Sequence, residues 1–255
     1  MTDLAFFRAL SAAARAVTLG APVPPADNKA APGAYDPVTE LDRAAEQALR
    51  ATIEARFPGD GIDGEEFGTT RPDARRRWSL DPIDGTRALI CGLPSWTTLV
   101  ALVEDGVPVA GMIDSPVLDE IAVAVDGRSL LITRNGEQPL RTSTCGTLAD
   151  ARLATTDPYL FDPAAAAGFD RLRTAARVTR FGLDALAYAR LAAGHIDLVA
   201  ETGLHPHDWH ALVPVVRGAG GVIGNWQGGG DMRDGAVLAA ATPDLFAAAV
   251  TALAD

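Results

Sequence analysis

Asp81 and Asp84 stand three residues apart in Trp78-Ser79-Leu80-Asp81-Pro82-Ile83-Asp84-Gly85-Thr86, within an otherwise apolar run and directly before Gly-Thr. Carboxylates in such surroundings are costly to bury without positive compensation. A hard divalent cation such as Mg²⁺ provides it, because it takes an oxygen shell, keeps several waters and shares the rest with substrate phosphate. Gly85 and Thr86, opening a turn or helix, offer backbone N–H groups to phosphate oxygens. Three more acidic sites suggest more than surface charge: Asp42 ends DPVTELD, Glu65 and Glu66 lie in DGEEFG, and Asp208 sits in HPHDWHALVPVVRGAGG. Each has a plain structural role as well. Asp42 fits a capping box, Asp208 a helix N-cap, and the glutamate pair a solvated loop.

Other chemistries match these residues less well. An EF-hand needs acidic residues at alternate positions before its glycine and a later glutamate, and an aspartyl-phosphate mechanism needs a different spacing. The chain has no Gly-Lys-Ser/Thr phosphate loop and no Gly-x-Ser-x-Gly elbow. Zinc is conceivable through His205, His207 and His210, but His195 is the only other histidine to support it.

The whole chain suits a globular protein. It has 255 residues, 48% hydrophobic and 22% charged, enough for a substantial core. A net charge of −11 argues against a nucleic-acid or anionic-membrane surface, yet allows a phosphorylated ligand where metal ions supply the positive charge. Cys91 and Cys145 show no metal spacing or disulfide framework, which fits a reducing cytoplasm. Asp3, Arg8 and Arg15 interrupt any signal-peptide core, and no stretch is long enough to span a bilayer. The first segment reads instead as an amphipathic helix burying Phe6, Phe7, Leu10, Ala14 and Val17.

Elements that position the acidic sites follow from the same patterns. Residues 20–38, rich in Pro, Gly and Ala, form a loop, and a helix runs from about Thr39 to Phe57, capped by Thr39 with Asp42 at its third position. From Trp78 to about Leu140 short β-like runs alternate with turns at Asp105-Gly106, Asp126-Gly127 and Asn135-Gly136, a mostly antiparallel meander. Beyond Ala151 strands alternate with helices near 161–176 and 183–194, and HDWHALVPVVRGA forms one more helix before the strand VIGNW. The first half, 1–145, therefore reads as α+β and the second, 146–255, as α/β, within one compact unit.

Taken together, DPVTELD, GEEFG, WSLDPIDGT and HDWHALVPVVRGAGGVI resemble, in order and spacing, the inositol monophosphatase-like family of Mg²⁺-dependent phosphatases, over nearly the whole chain. The resemblance implies a layered αβαβα sandwich, a homodimer, and two to three Mg²⁺ ions per subunit. It implies metal ligands at Glu65, Asp81, Asp84, Asp208 and the Ile83 carbonyl, with Glu65 preferred over Glu66. Asp42 would pair with Thr86 to orient the attacking water, Glu65 would help hold the ion that activates it, and phosphate would sit at Asp84, Gly85 and Thr86. In-line attack with charge neutralisation is the implied mechanism.

Within that family, DPIDGTRALICGLPSWTTLVAL, FGLDALAYARLAAGHIDLVAE and ALVPVVRGAGGVI are most similar to the histidinol-phosphate phosphatases. Asp184 and Glu201 are then expected to bind the substrate beyond its phosphate, two carboxylates facing an ammonium and an imidazole. Inositol or sugar monophosphates, a 3′-nucleotide, and an inactive metal- or phosphate-binding protein are the alternatives. The chain departs from the branch at Leu183, His205, Trp209-His210 and Arg217. Leu183 and His205 are expected beside the substrate pocket, so they bear on the choice of ester.

Overall fold

A computed structural model describes residues 3–20, 22–29 and 37–254. Residues 21 and 30–36 of the expected 20–38 loop lie outside the described residues. The first helix, α1 (Leu4–Thr18), starts at its Asp3 cap and buries Phe6, Phe7, Leu10 and Ala14, while Val17 is only half-buried. Arg15 fastens it to the sheet below by pairing with buried Asp114 at 2.7 Å. The two-residue pair β1 (Asp27–Asn28) and β2 (Pro37–Val38) precedes α2 (Glu40–Arg56). Thr39 caps α2 and Asp42 completes the capping box.

The first sheet has eight strands: β3 (Gly61–Gly64), β4 (Gly68–Thr70), β5 (Arg76–Asp84), β6 (Thr97–Glu104), β7 (Val107–Ser115), β8 (Glu120–Val125), β9 (Arg128–Thr133) and β10 (Gly136–Pro139). Short helix α3 (Thr86–Ile90) separates β5 from β6. All pairs are antiparallel except β3 with β5. Strand β6 is apolar from Leu99 to Val103 because both faces of the sheet are covered. Leu99 and Ala101 point into the central core, and Val100 and Leu102 into the core under α1 and α2.

The second sheet is mixed. It comprises β11 (Arg152–Thr155), β12 (Val178–Phe181), β13 (Leu198–Glu201), β14 (Val222–Gly224) and β15 (Val237–Ala240), in the order β12-β11-β13-β15-β14. Its β11 pairings are parallel and its β15 pairings antiparallel. Helices α5 (Leu186–Ala192) and α7 (Leu212–Gly218) lie between the two sheets, and α4 (Pro163–Ala175) and α8 (Pro243–Ala254) cover the outer face. The layers are therefore helix, sheet, helix, sheet, helix: the α/β sandwich expected. The one long helix expected around Asp208 is instead two. Short α6 (Pro206–Trp209) and α7 are separated by His210 and Ala211, and His210 Nδ1 lies 2.9 Å from Ser79 Oγ of β5. Among the described residues no helix is long and apolar enough to cross a membrane.

Candidate active site

The convergence of Asp81 and Asp84 begins with a fault in β5. In a regular strand, residues three apart point to opposite faces. Asp81 pairs with Leu99 and Asp84 with Thr97, so β5 carries one more residue than β6 over this interval. Pro82, which has no N–H for the ladder, sits in the resulting bulge. The extra residue turns Asp84 back to the side of Asp81. Ile83 N donates to Asp81 Oδ1 at 3.1 Å, and Thr98 Oγ1 donates to the Pro82 carbonyl at 2.8 Å, which holds the bulge in place. Gly85 follows with φ +85°, and a β-carbon there would come within 3.0 Å of Asp184 Oδ2, so turn and close approach both call for glycine.

Asp208 comes from the other half. It is not the N-cap of α6 but its third residue, one turn in, with Oδ2 accepting from His205 N at 2.6 Å. Ligand atoms of Asp81, Asp84 and Asp208 all lie within 4.8 Å of one another. Glu65 lines the same cavity and adds its charge to that around Asp81, but stands outside this closest group. Its Oε1 takes Lys29 Nζ at 2.9 Å, and Lys29 also reaches Glu66 at 2.5 Å. The three histidines do not converge. The rings of His205 and His207 lie 5.5 Å apart in a stack, and His210 turns to Ser79.

Asp42 and Thr86 meet across α2 and α3. Asp42 Oδ2 accepts from Thr39 N and Oγ1 at 2.8 and 2.6 Å, while Oδ1 faces Thr86 Oγ1 at 3.1 Å. The cap role and the pairing with Thr86 thus use different oxygens of one carboxylate. Thr86 Oγ1 also lies 3.1 Å from the Ile83 carbonyl, so its one proton has two acceptors.

Glu46 went unrecognised in the sequence. It sits on α2 one turn after Asp42, fully buried, with Oε2 accepting from Glu66 N at 2.7 Å and Oε1 from Phe67 N at 3.2 Å. Arg50 Nε binds the same Oε1 at 2.7 Å. This clamp holds the turn that carries Glu65. A β-carbon on Gly64 would fall 1.9 Å from Glu46 Oε1, so the turn is pressed directly onto the helix. Its only sequence signal is the four-residue spacing from Asp42.

The cavity measures about 380 Å³. Among the described residues lining it are seven Asp or Glu and one Lys or Arg, Arg87. Burial, then the charges of Glu65, Asp84 and Asp208, drives the Asp81 carboxyl well above its ordinary pKa. Burial and the Asp184 charge do the same to Asp84, and burial raises Asp208. A cluster so disposed is short of positive charge, and oxygen donors in this number suit a hard divalent cation. Asp184, with φ +48°, has its carboxyl pushed up to about 6 by burial, against the lowering pull of Arg87. Glu201 is buried and pushed up to about 8, although Thr155 and Thr156 donate to both its oxygens. His205 lines the cavity, whereas Leu183 packs against the central core and is not among the lining residues.

A family model of the inositol monophosphatase family matches residues 3–255. This chain belongs to the inositol monophosphatase family. Family and relatives indicate a phosphoric monoester hydrolase, and the carboxylate cluster lies in the cavity. The chain is 44% identical over 194 residues to a bifunctional phosphatase, chloroplastic, of Arabidopsis thaliana; that match covers 75% of this chain but only 55% of the plant protein. It is 36% identical over 208 residues to a histidinol-phosphatase of Mycobacterium tuberculosis, covering 80% and 79% of the two chains. The solved structure of an inositol monophosphatase from Zymomonas mobilis superposes with a TM-score of 0.85 at 43% identity, over 98% of this chain and 97% of that one.

Proposed function

We propose that this chain is a Mg²⁺-dependent phosphomonoesterase whose substrate is histidinol phosphate. The observation that carries the reading is the acidic cavity. Carboxylates of Asp81, Asp84 and Asp208 converge at one end, and Asp184 and Glu201 line the same space. Asp81, Asp84, Asp208, Glu65 and the Ile83 carbonyl would hold the metal, with Glu65 available once Lys29 withdraws. When bound, the ions offset the charge of the phosphate and of these carboxylates, and polarise the ester for attack.

The chain's own groups supply position and proton handling. Thr86 donates to Asp42, leaving the Thr86 lone pairs to accept a hydrogen bond from an attacking water and orient it. Asp42 stays fixed by its two bonds from Thr39. The Gly85 and Thr86 amides, at the start of α3, face the phosphate. Asp184 and Glu201 offer acceptors to the ammonium of histidinol.

An inositol phosphate is the second reading. It is favoured by the likeness to the Zymomonas mobilis enzyme and by the engagement of both Glu201 oxygens with Thr155 and Thr156. Phosphate release from histidinol phosphate, inositol phosphates and 3′-phosphoadenosine 5′-phosphate, measured with Mg²⁺, separates them. A wide preference for either of the latter two rules out histidinol phosphate while leaving the site's chemistry in place. We also propose that the enzyme works as a homodimer in the cytoplasm; light scattering of the purified protein checks the former, cell fractionation the latter.

A further inference from the structure

Leu160 is out of keeping with the cavity it lines. Of the other apolar side chains lining that space among the described residues, Ile83 and Leu212 are 1% exposed, and Phe161 packs edge-on against Phe169 and Trp226. Leu160 is 60% exposed. A leucine exposed on a convex surface needs no explanation, because folded proteins leave much apolar area in water. One held in a concave, mostly charged pocket is a contact surface for whatever enters.

The segment that carries it is tied to the elements that present Asp184 and Glu201. Thr156 donates its N–H and Oγ1 to Glu201 Oε1 at 2.7 and 2.9 Å. Its carbonyl accepts from Gly182 N at 2.9 Å, two residues before Asp184. A single 3-10 turn, Pro158–Leu160, follows at once. Asp157 closes it, with Oδ1 accepting from Tyr159 N at 3.0 Å and its carbonyl from Leu160 N at 3.1 Å. Phe161 then anchors the far end in the core under the outer helices. Leu160 therefore belongs to the end of the cavity assigned to Asp184 and Glu201, and is held there from both sides.

We propose that Leu160 is a specificity residue, the apolar wall against which a hydroxyl-poor ring in the alcohol part of the phosphate ester packs. This deepens the proposed function and rests on it. In histidinol phosphate the carbon bearing the ammonium lies two bonds from the ester oxygen, and the imidazole a further two bonds out. With phosphate at the metal ligands and ammonium at the carboxylates, the ring meets the next surface outward, where Leu160 is the exposed apolar group. An imidazole offers it an apolar face while the ring nitrogens, at the edge, keep their water. A polyol ring carries hydroxyls around its whole edge, and a leucine covering some of them strips their water without replacing it.

The test compares wild type with Leu160→Ala and Leu160→Asn on histidinol phosphate, inositol 1-phosphate and glycerol 2-phosphate, which has no ring, each with Mg²⁺. Leu160→Ala should lose about tenfold in kcat/KM on histidinol phosphate, chiefly through KM, and change little on glycerol 2-phosphate. Leu160→Asn, similar in size but polar, should lose as much on histidinol phosphate and gain on inositol 1-phosphate. Melting temperatures should stay near wild type, because a side chain this exposed adds little to the fold. Equal losses on all three esters, or no loss on histidinol phosphate, overturn the role of Leu160. Wild type preferring inositol 1-phosphate ends the histidinol reading alone. The ratio of kcat/KM on histidinol phosphate to that on glycerol 2-phosphate must still fall about tenfold in Leu160→Ala, and an unchanged ratio overturns the wall.

Discussion

Asp84 carries two jobs at once: it shares the carboxylate cluster with Asp81 and Asp208, and it anchors α5 by accepting from Ala185 N. Asp84→Asn keeps the shape and removes a charge. It should lower kcat at least about 100-fold, roughly 2.7 kcal/mol of barrier. Wild-type and variant rates in Mg²⁺ and in EDTA check this, and equal rates throughout would favour an inactive binding protein. Thr86→Ala should cost on the order of 10²-fold or more in kcat, with Thr86→Ser close to wild type, because the hydroxyl rather than the methyl meets Asp42. Glu201 gives a pH signature. Its folded pKa, about 8, lies above the 4.5 of a free glutamate, so the folded state holds the proton more tightly and stability falls as pH rises from about 4.5 to 8. Urea midpoints in EDTA should therefore shift in favour of Glu201→Gln over wild type as pH climbs through that window.

α2 works as a ruler. One buried face carries Asp42, which meets Thr86, and one turn later Glu46, which holds the Glu65 turn. Glu46→Ala should weaken divalent-cation binding about 10- to 100-fold by calorimetry, with Glu46→Gln intermediate. Gly64→Ala, which drives a methyl into the same carboxylate, should cost about 1–3 kcal/mol in urea unfolding. How much of this was legible depended on locality. Thr39 and Asp42 sit three residues apart, so the capping box could be read directly from DPVTELD. Glu46 could not, because a glutamate inside a helix usually faces water and its partners are amides 20 and 21 residues away. The pair Asp81 and Asp84 was recognised by type, but their common direction comes from a bulge that appears only once β5 is set against β6. The break at His210 was hidden because the chain keeps helical backbone angles there, and the bend is set by contact with Ser79 across the fold.

At the scale of the molecule, hydrophobic patterning made the elements readable, a meander after Trp78 and alternating strands and helices beyond Ala151, whereas the layered sandwich was implied by the family resemblance. The pairing order of the second sheet was not readable, because registers between β13, β15 and β14 depend on contacts far apart in sequence. A divalent cation that binds only the folded chain should raise Tm, by about 2.7 kcal/mol of added stability at a hundred times Kd, with EDTA reversing it in a melting experiment. Asp81 and Asp84 end a strand of the first sheet, and Asp208 stands on a helix that follows the third strand of the second. An ion at their meeting point would act as a rivet through the seam between the two sheets. Amide hydrogens near Thr97, whose hydroxyl donates to Asp84, and that of His205, which donates to Asp208, should then slow their exchange together when the ion is added.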